Sequence, residues 1–124
     1  MYGTDLHRLA KQMLGARFQG ILNAAQRPRL VPGTCCIQNT RASAPGRHWL
    51  AIGIFRDSAG EARTMGWDSY GNMPEAVAER QLIEADTWTD PDMHQTKESQ
   101  VCGAMALAWC VIFVRRGYKI AAQV

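Results

Sequence analysis

The chain has 124 residues, of which 47% are hydrophobic and 20% are charged, and its formal net charge is +3. These values are typical of one small globular domain, residues 1–124, with its own hydrophobic core, and they exclude a disordered tail. The charge is uneven, because residues 1–63 hold nine Lys and Arg against three Asp and Glu, whereas residues 64–124 hold five against eight. Such an Arg-rich half is compatible with DNA binding or with an ordinary solvated surface.

Hydrophobic periodicity predicts a mixed α+β fold. The predicted elements, in chain order, are a helix at 4–14, an irregular connection at 16–33, a strand at 34–39, a loop at 41–47, a strand at 48–55, a turn at 57–60, a strand at 61–67, a loop at 68–74, a helix at 74–85, a polar loop at 86–99 with a short strand at 87–89, and a helix at 101–114. The strand at 48–55 is apolar on both faces, so we expect it at the centre of the sheet, paired with 61–67 as a hairpin.

The helix at 101–114 contains almost no polar residue and is expected to be buried on most sides. Ser99 is a candidate N-cap, which puts Cys102 in the first turn. There the helix dipole and the unpaired backbone N–H groups favour the thiolate, the nucleophilic form of cysteine. The alternative is that Cys102 is a small core residue.

Cysteine usage and the N-terminus indicate the compartment. Cys35 and Cys36 are adjacent, and Cys102 and Cys110 lie about two turns apart on one helix, so neither pair can form a disulfide without distortion. The N-terminal stretch is polar and amphipathic, unlike a signal peptide, and the longest apolar run is too short to cross a bilayer. We therefore expect an intracellular protein of a reducing compartment that is neither secreted nor bound to a membrane.

A nucleophilic cysteine needs a base, a group that orients the base, and donors for the oxyanion. His48 starts the central strand and Asp68 follows its hairpin partner, so both should lie at one end of the hairpin, within reach of a carboxylate–imidazole hydrogen bond. Asp68 would then orient His48 as the general base. Gln95, seven residues before Cys102, is the candidate side-chain donor to the oxyanion.

Each of these residues also fits an ordinary structural role. His48 fits a hydrogen-bonded residue at a strand end, Asp68 fits a turn starter, and Gln95 fits any amide of a polar loop. His94, with Asp92 near it, is a rival base that lies closer to the cysteine in sequence.

Several stretches of the chain, taken together, resemble the adenovirus endoprotease family (adenain). In chain order they are Cys-x-Ile-x-Asn-Thr at 35–40, Gly46-Arg47-His48-Trp49-Leu50-Ala51, Trp67-Asp68-Ser69-Tyr70-Gly71, Gln95, and Cys102-Gly103. The order His, acid, Gln, Cys is shared with the SUMO- and ubiquitin-like-protein proteases, and the match runs from about Cys35 to Phe113. His-Trp combined with Gln seven residues before Cys-Gly is specific, whereas any one piece alone would be weak.

The resemblance implies a papain-like α+β fold in permuted order, in which a central helix carrying the nucleophile packs on a small, mostly antiparallel sheet. It implies a cysteine endopeptidase that cleaves viral precursor proteins at Gly-containing sites. Carried over residue by residue, Cys102 resembles the nucleophile, His48 the general base, Asp68 the orienting acid and Gln95 the oxyanion donor. We expect a monomer that uses no metal or cofactor and acts in the host nucleus or in the virion.

The chain departs from that family in three ways. The acid is Asp68 where the adenovirus enzymes carry Glu. The chain ends soon after the nucleophile helix, where adenain continues, and no Cys lies between Cys36 and Cys102 to hold an activating peptide through a disulfide. Activation by a peptide, or by DNA through the Arg-rich residues 1–63, is left open.

Two other functions stay open. One is a deconjugating protease that cuts SUMO- or ubiquitin-like tails after Gly-Gly. The other, of a different class, is a non-catalytic nucleic-acid-binding or metal-binding module that uses Cys35, Cys36, His48 and Cys102, although the chain has no Cys-x-x-Cys pair.

Overall fold

The computed structural model describes residues 3–40, 48–71, 83–89 and 102–124. Its elements are α1 (Gly3–Leu14), a 3-10 turn (Gly15–Arg17), β1 (Phe18–Leu22), β2 (Cys35–Asn39), β3 (Trp49–Arg56), β4 (Ala62–Trp67), β5 (Thr87–Trp88), α2 (Cys102–Arg116) and α3 (Tyr118–Ala121). The first and last predicted helices and the four predicted strands are all present, with ends that differ by one or two residues.

The five strands form one sheet in the order β1-β2-β3-β4-β5. β2, β3 and β4 are antiparallel neighbours, whereas β1 pairs with β2 and β5 pairs with β4 in parallel. β3 lies in the middle and is buried from residue 50 to residue 54, as its apolar sequence predicts. The predicted α+β class is confirmed, and the antiparallel pairs form the centre of the sheet.

β1 corrects the prediction of an irregular connection over residues 16–33, because Phe18–Leu22 is a strand. Gln19 and Gly20 interrupt the apolar alternation, so the local sequence does not have the pattern of a strand. In the structure, the register of β1 against β2 shifts at the same place, between Phe18 and Ile21. The strand forms because β2 supplies its backbone hydrogen-bond partners. The loop that follows is held by Gln19, whose side-chain amide donates to Arg29 O and accepts from Arg29 N, both at 2.7 Å.

The helices cover one face of the sheet. Ala51 on β3 contributes to the larger core, which α1 and α2 complete, whereas its neighbours Leu50 and Ile52 face a smaller cluster on the opposite side. The larger core consists of Leu6, Ala10, Leu14, Phe18, Cys35, Ile37, Ala51, Met65, Trp67, Ala106, Leu107, Trp109, Cys110, Phe113 and Ala121. Because successive strand residues point to opposite faces, both faces of β3 are buried.

α2 packs directly on a glycine of the central strand. A Cβ atom added to Gly53 would lie 2.5 Å from the ring of Phe113. The ring cannot easily move away, because Phe113 is 4% exposed and stacks on Trp109 with ring centroids 5.2 Å apart. Gly53 therefore sets how closely α2 approaches the sheet.

We expect Gly53→Ala to lower the free energy of unfolding by about 2–3 kcal/mol, because the added methyl group overpacks a filled core. A urea titration measures this loss. The matched control places the same substitution in a Phe113→Leu background, where the smaller side chain should relieve most of the cost of the methyl group. Equal losses in the two backgrounds would show that the ring is not the obstacle.

The last residues of the chain bind two buried tryptophans of the core. Trp67 Nε1 donates to Val124 O at 3.3 Å, and Trp109 Nε1 donates to Ala121 O at 2.9 Å. Gly117, with φ of +90°, lets the chain turn between α2 and α3. Both indole N–H groups, which would be costly to bury without an acceptor, are thereby satisfied.

Residues 83–85, predicted as the end of a helix over 74–85, are not helical. Ile83 instead inserts into the smaller core cluster, 4% exposed, and the rest of that predicted helix lies outside the described residues. Within the described ranges, the longest helix is α2 with 15 residues, and none is long and apolar enough to cross a bilayer.

Candidate active site

A histidine–aspartate pair lies buried at one end of the β3–β4 hairpin. His48 directly precedes β3 and Asp68 directly follows β4. His48 Nε2 lies 2.6 Å from Asp68 Oδ1, and the two side chains are only 3% and 1% exposed. This is the contact that the sequence predicts from the hairpin. Burial of two ionisable groups costs folding free energy unless the groups form a hydrogen bond with each other. His48 and Asp68 form such a hydrogen bond.

The turn after β4 fixes the carboxylate of Asp68. Its Oδ1 also accepts the backbone N–H of Tyr70 at 2.9 Å, and the backbone N–H of Gly71 donates to Asp68 O at 2.9 Å. Gly71 has a φ of +57°, which a glycine adopts without strain. The ordinary turn role of Asp68 and its contact with His48 are therefore compatible, because one oxygen serves both.

His48 is fixed from two further directions. Its carbonyl oxygen accepts the backbone N–H of Thr40 at 3.1 Å, which ties it to the end of β2. Its ring lies against that of Tyr70, with centroids 4.3 Å apart and planes 33° apart. The imidazole is therefore held by its backbone, by the Asp68 carboxylate and by an aromatic face.

The tyrosine contact was missing from the sequence predictions, although the hairpin register contains it. Ala51 pairs with Trp67, so the same register continued for three residues puts His48 opposite Tyr70. Directly opposite residues of an antiparallel pair have neighbouring side chains on one face. An aromatic residue two positions after the acid was thus a usable signal.

The first turn of α2 lies beside the start of β3. α2 begins at Cys102, and a Cβ atom on the next residue, Gly103, would lie 3.7 Å from Trp49 Cδ1 and 3.1 Å from Leu6 Cδ2. Trp49 directly follows His48 in the chain. Cys102, the candidate nucleophile, directly precedes Gly103, and His48, the candidate base, directly precedes Trp49. Both candidates are therefore sequence neighbours of the contact between Gly103 and Trp49.

The other predicted site residues are not all within the described part of the chain. Gln95 lies outside it, as do the rival base His94, its neighbour Asp92 and the candidate cap Ser99. The structure thus brings together His48 and Asp68, and it puts Gly103 of α2 beside the side chain of Trp49. The roles of Gln95 and of the Cys102 thiol stay predictions.

The remaining three thiols are core residues. Cys35, Cys36 and Cys110 are each 0% exposed. Burial raises the pKa of the Cys36 thiol and that of the Cys110 thiol well above their usual range. The Cys110 thiol donates to Cys36 O, with the sulfur 3.7 Å from the oxygen. Buried thiols with a raised pKa, as at Cys36 and Cys110, are poor nucleophiles.

The metal-binding alternative, which uses Cys35, Cys36, His48 and Cys102, gains no support from the described residues. Cys35 belongs to the larger core and Cys36 to the cluster on the opposite face of the sheet, so the two sulfurs point away from each other. Across residues 3–40, 48–71, 83–89 and 102–124, no three His, Cys, Asp or Glu side chains meet in a group that could hold a metal ion.

Half of the arginines in the described part of residues 1–63 are paired with acids. The pairs are Arg8 with Asp5, Arg27 with Glu84, and Arg63 with Asp57. Each pair reduces the positive charge that this half of the chain offers to an anionic partner. DNA binding therefore gains no support from the described surface and stays a prediction.

No family model matches the chain, and no curated protein matches it either. By its fold and its site, the chain is an α+β protein with a buried histidine–carboxylate pair at one end of its central hairpin and a largely buried helix, Cys102–Arg116, packed on the sheet.

Proposed function

We propose that the chain is a cysteine endopeptidase of papain-like, permuted architecture. Cys102 is the nucleophile, His48 the general base, Asp68 the group that orients the base, and Gln95 a donor to the oxyanion. The observation that carries the proposal is the buried 2.6 Å contact between His48 Nε2 and Asp68 Oδ1. A carboxylate that orients an imidazole next to a thiol is the arrangement that cysteine peptidases need.

In the proposed reaction the two ring nitrogens have different tasks. Nε2 donates to Asp68, so Nδ1 takes the proton from the Cys102 thiol. The thiolate attacks the peptide carbonyl carbon, and the resulting oxyanion accepts hydrogen bonds from the backbone N–H of Cys102 and the side-chain amide of Gln95. His48 then gives its proton to the leaving amine, and water hydrolyses the acyl-enzyme with His48 again acting as base.

The position of Cys102 in its helix supports its role. Among the described residues α2 starts at Cys102, and a thiol near a helix N-terminus experiences the positive end of the helix dipole and backbone N–H groups that lack intrahelical acceptors. Both effects stabilise the thiolate. The three buried thiols have neither advantage, and two of them have a raised pKa.

The topology sets a condition on how the thiol reaches its base. Trp49 packs on the helix side of the sheet, and alternation gives the residue before it the opposite direction. The thiol must therefore approach the imidazole across the end of the sheet. This fits a base that lies just before its strand and an acid that lies just after its own strand.

We extend the proposal to substrates through the resemblance to the adenovirus endoprotease. Precursor proteins with Gly-containing sites, cleaved in an infected nucleus or in a virion, are the first candidates. Tails of SUMO- or ubiquitin-like proteins that end in Gly-Gly are the second. A small residue beside the scissile bond suits a site whose base and acid are themselves buried.

A substrate panel with a covalent trap tests the proposal. Purified protein is incubated with Gly-containing peptides and with Gly-Gly conjugates of a ubiquitin-like protein, and the products are sequenced by mass spectrometry. We expect cleavage after Gly in one of the two sets, and a peptide electrophile of that sequence should modify Cys102 while sparing Cys35, Cys36 and Cys110. Absence of cleavage in both sets, or an adduct on another thiol, would contradict the assignment.

A further inference from the structure

We infer that Tyr70 is a positioning residue of this site, whose ring holds the His48 imidazole in the orientation that keeps Nε2 on Asp68. The consequence for catalysis rests on the proposed function. The orientation of the imidazole does not rest on the proposed function, because it follows from contacts between His48, Asp68 and Tyr70.

Tyr70 acts on both members of the pair through two separate groups. Its ring lies against the His48 ring, with centroids 4.3 Å apart, and its backbone N–H donates to Asp68 Oδ1 at 2.9 Å. The same oxygen binds His48 Nε2 at 2.6 Å. A change of the side chain at position 70 removes the ring contact and leaves the backbone hydrogen bond in place. The two contributions can therefore be separated.

A flat face at this distance restrains the imidazole in a way that the carboxylate alone cannot. The hydrogen bond at Nε2 and the covalent bond to Cβ hold two points of the ring, so the ring can still turn about the line that joins them. A stacked aromatic ring prevents this rotation, and its negative face also favours the protonated imidazole that forms during the reaction. The ring further shields a short hydrogen bond from water, which strengthens it.

Two parts of the fold contact His48. The turn after β4 contributes Asp68 and Tyr70. The end of β2 contributes the backbone N–H of Thr40, which donates to His48 O. Asp68 is thus a charged neighbour of the imidazole, and Tyr70 is an aromatic one.

The other end of the same strand offers a matched control. Phe55 stacks on Tyr118 with ring centroids also 4.3 Å apart and planes 23° apart. Tyr118→Leu removes a tyrosine ring from an equivalent stack on β3, at the opposite end from His48. Any general effect of losing such a ring should appear in this variant too.

The test compares Tyr70→Phe, Tyr70→Leu, Tyr70→Val and Tyr118→Leu by NMR with 15N-labelled histidine. In the unmodified protein we expect a far-downfield imidazole N–H proton from the short bond of His48 to Asp68, assigned by its absence from His48→Gln. It should persist in Tyr70→Phe and Tyr118→Leu, and it should be lost to solvent exchange in Tyr70→Leu and Tyr70→Val. In a cleavage assay the two aliphatic variants should lose about tenfold in kcat with little change in KM.

Two results would overturn the inference. One is an unchanged N–H proton in both folded aliphatic variants, and the other is an equal loss of that proton in Tyr118→Leu. If the unmodified protein cleaves no peptide but its N–H proton depends on the ring of Tyr70, the proposed function fails while the positioning role stands.

Discussion

Replacement of Cys102 by Ala should remove peptide cleavage to below detection while the fold stays intact. The methyl group that replaces the thiol cannot form the acyl-enzyme, and what remains of the site can only bind substrate. Cys102 starts α2, and alanine is the best helix former, so the substitution should not disturb the helix. Cleavage of the best peptide from the substrate panel, followed together with the circular dichroism spectrum, measures both effects.

Cys110→Ala is the matched control for this experiment, because it removes a thiol from the same helix. Cys110 is fully buried, and its thiol donates to Cys36 O. We expect a loss of about 1 kcal/mol in the free energy of unfolding, from one hydrogen bond and a small cavity, with cleavage retained. Cleavage that survives in Cys102→Ala would end the assignment of the nucleophile.

Replacement of Asp68 by Ala should lower kcat/KM on the order of a thousandfold, because His48 loses the partner that fixes its tautomer and stabilises its protonated form. Asp68→Asn should lose much less, since the amide oxygen can still accept from Nε2, as it does in papain-like proteases that use asparagine. The ranking Asp, then Asn, then Ala is the expected result of steady-state kinetics on the same peptide.

The hairpin itself supplies the control for Asp68. Asp57, at the opposite end of the same hairpin, also accepts backbone N–H groups through its Oδ1, from Ala59 at 2.9 Å and from Glu61 at 2.8 Å. Asp57→Ala removes an equivalent turn contact far from His48 and should leave kcat/KM within about twofold. If Asp68→Ala behaves in the same way, the carboxylate serves only the turn.

Much of the site could be predicted because it depends on one hairpin. The apolar run at β3 and the turn at 57–60, where Gly60 N donates to Asp57 O at 3.0 Å, together fix a register. In an antiparallel pair, a fixed register determines which residues meet at the open end. His48 and Asp68 could therefore be paired from the sequence, and Tyr70 could have been added by the same count.

The parts that could not be predicted depend on contacts between segments distant in sequence. β1 has no strand pattern of its own, and it exists because β2 pairs with it in parallel. The approach of α2 to the sheet depends on the absence of a side chain at Gly53 under the ring of Phe113. Neither feature leaves a periodic signal in the sequence.

The sequence by itself determined the central strand, its hairpin, the buried helix predicted over 101–114 and the pairing of a histidine with an aspartate. These follow from local periodicity and turn chemistry, which act over a few residues. Only the tertiary structure decided that the first turn of α2 packs beside Trp49 and that an aromatic ring lies against the imidazole. The physical reason is that packing between distant segments depends on the shapes of particular side chains, which hydrophobic patterns do not encode.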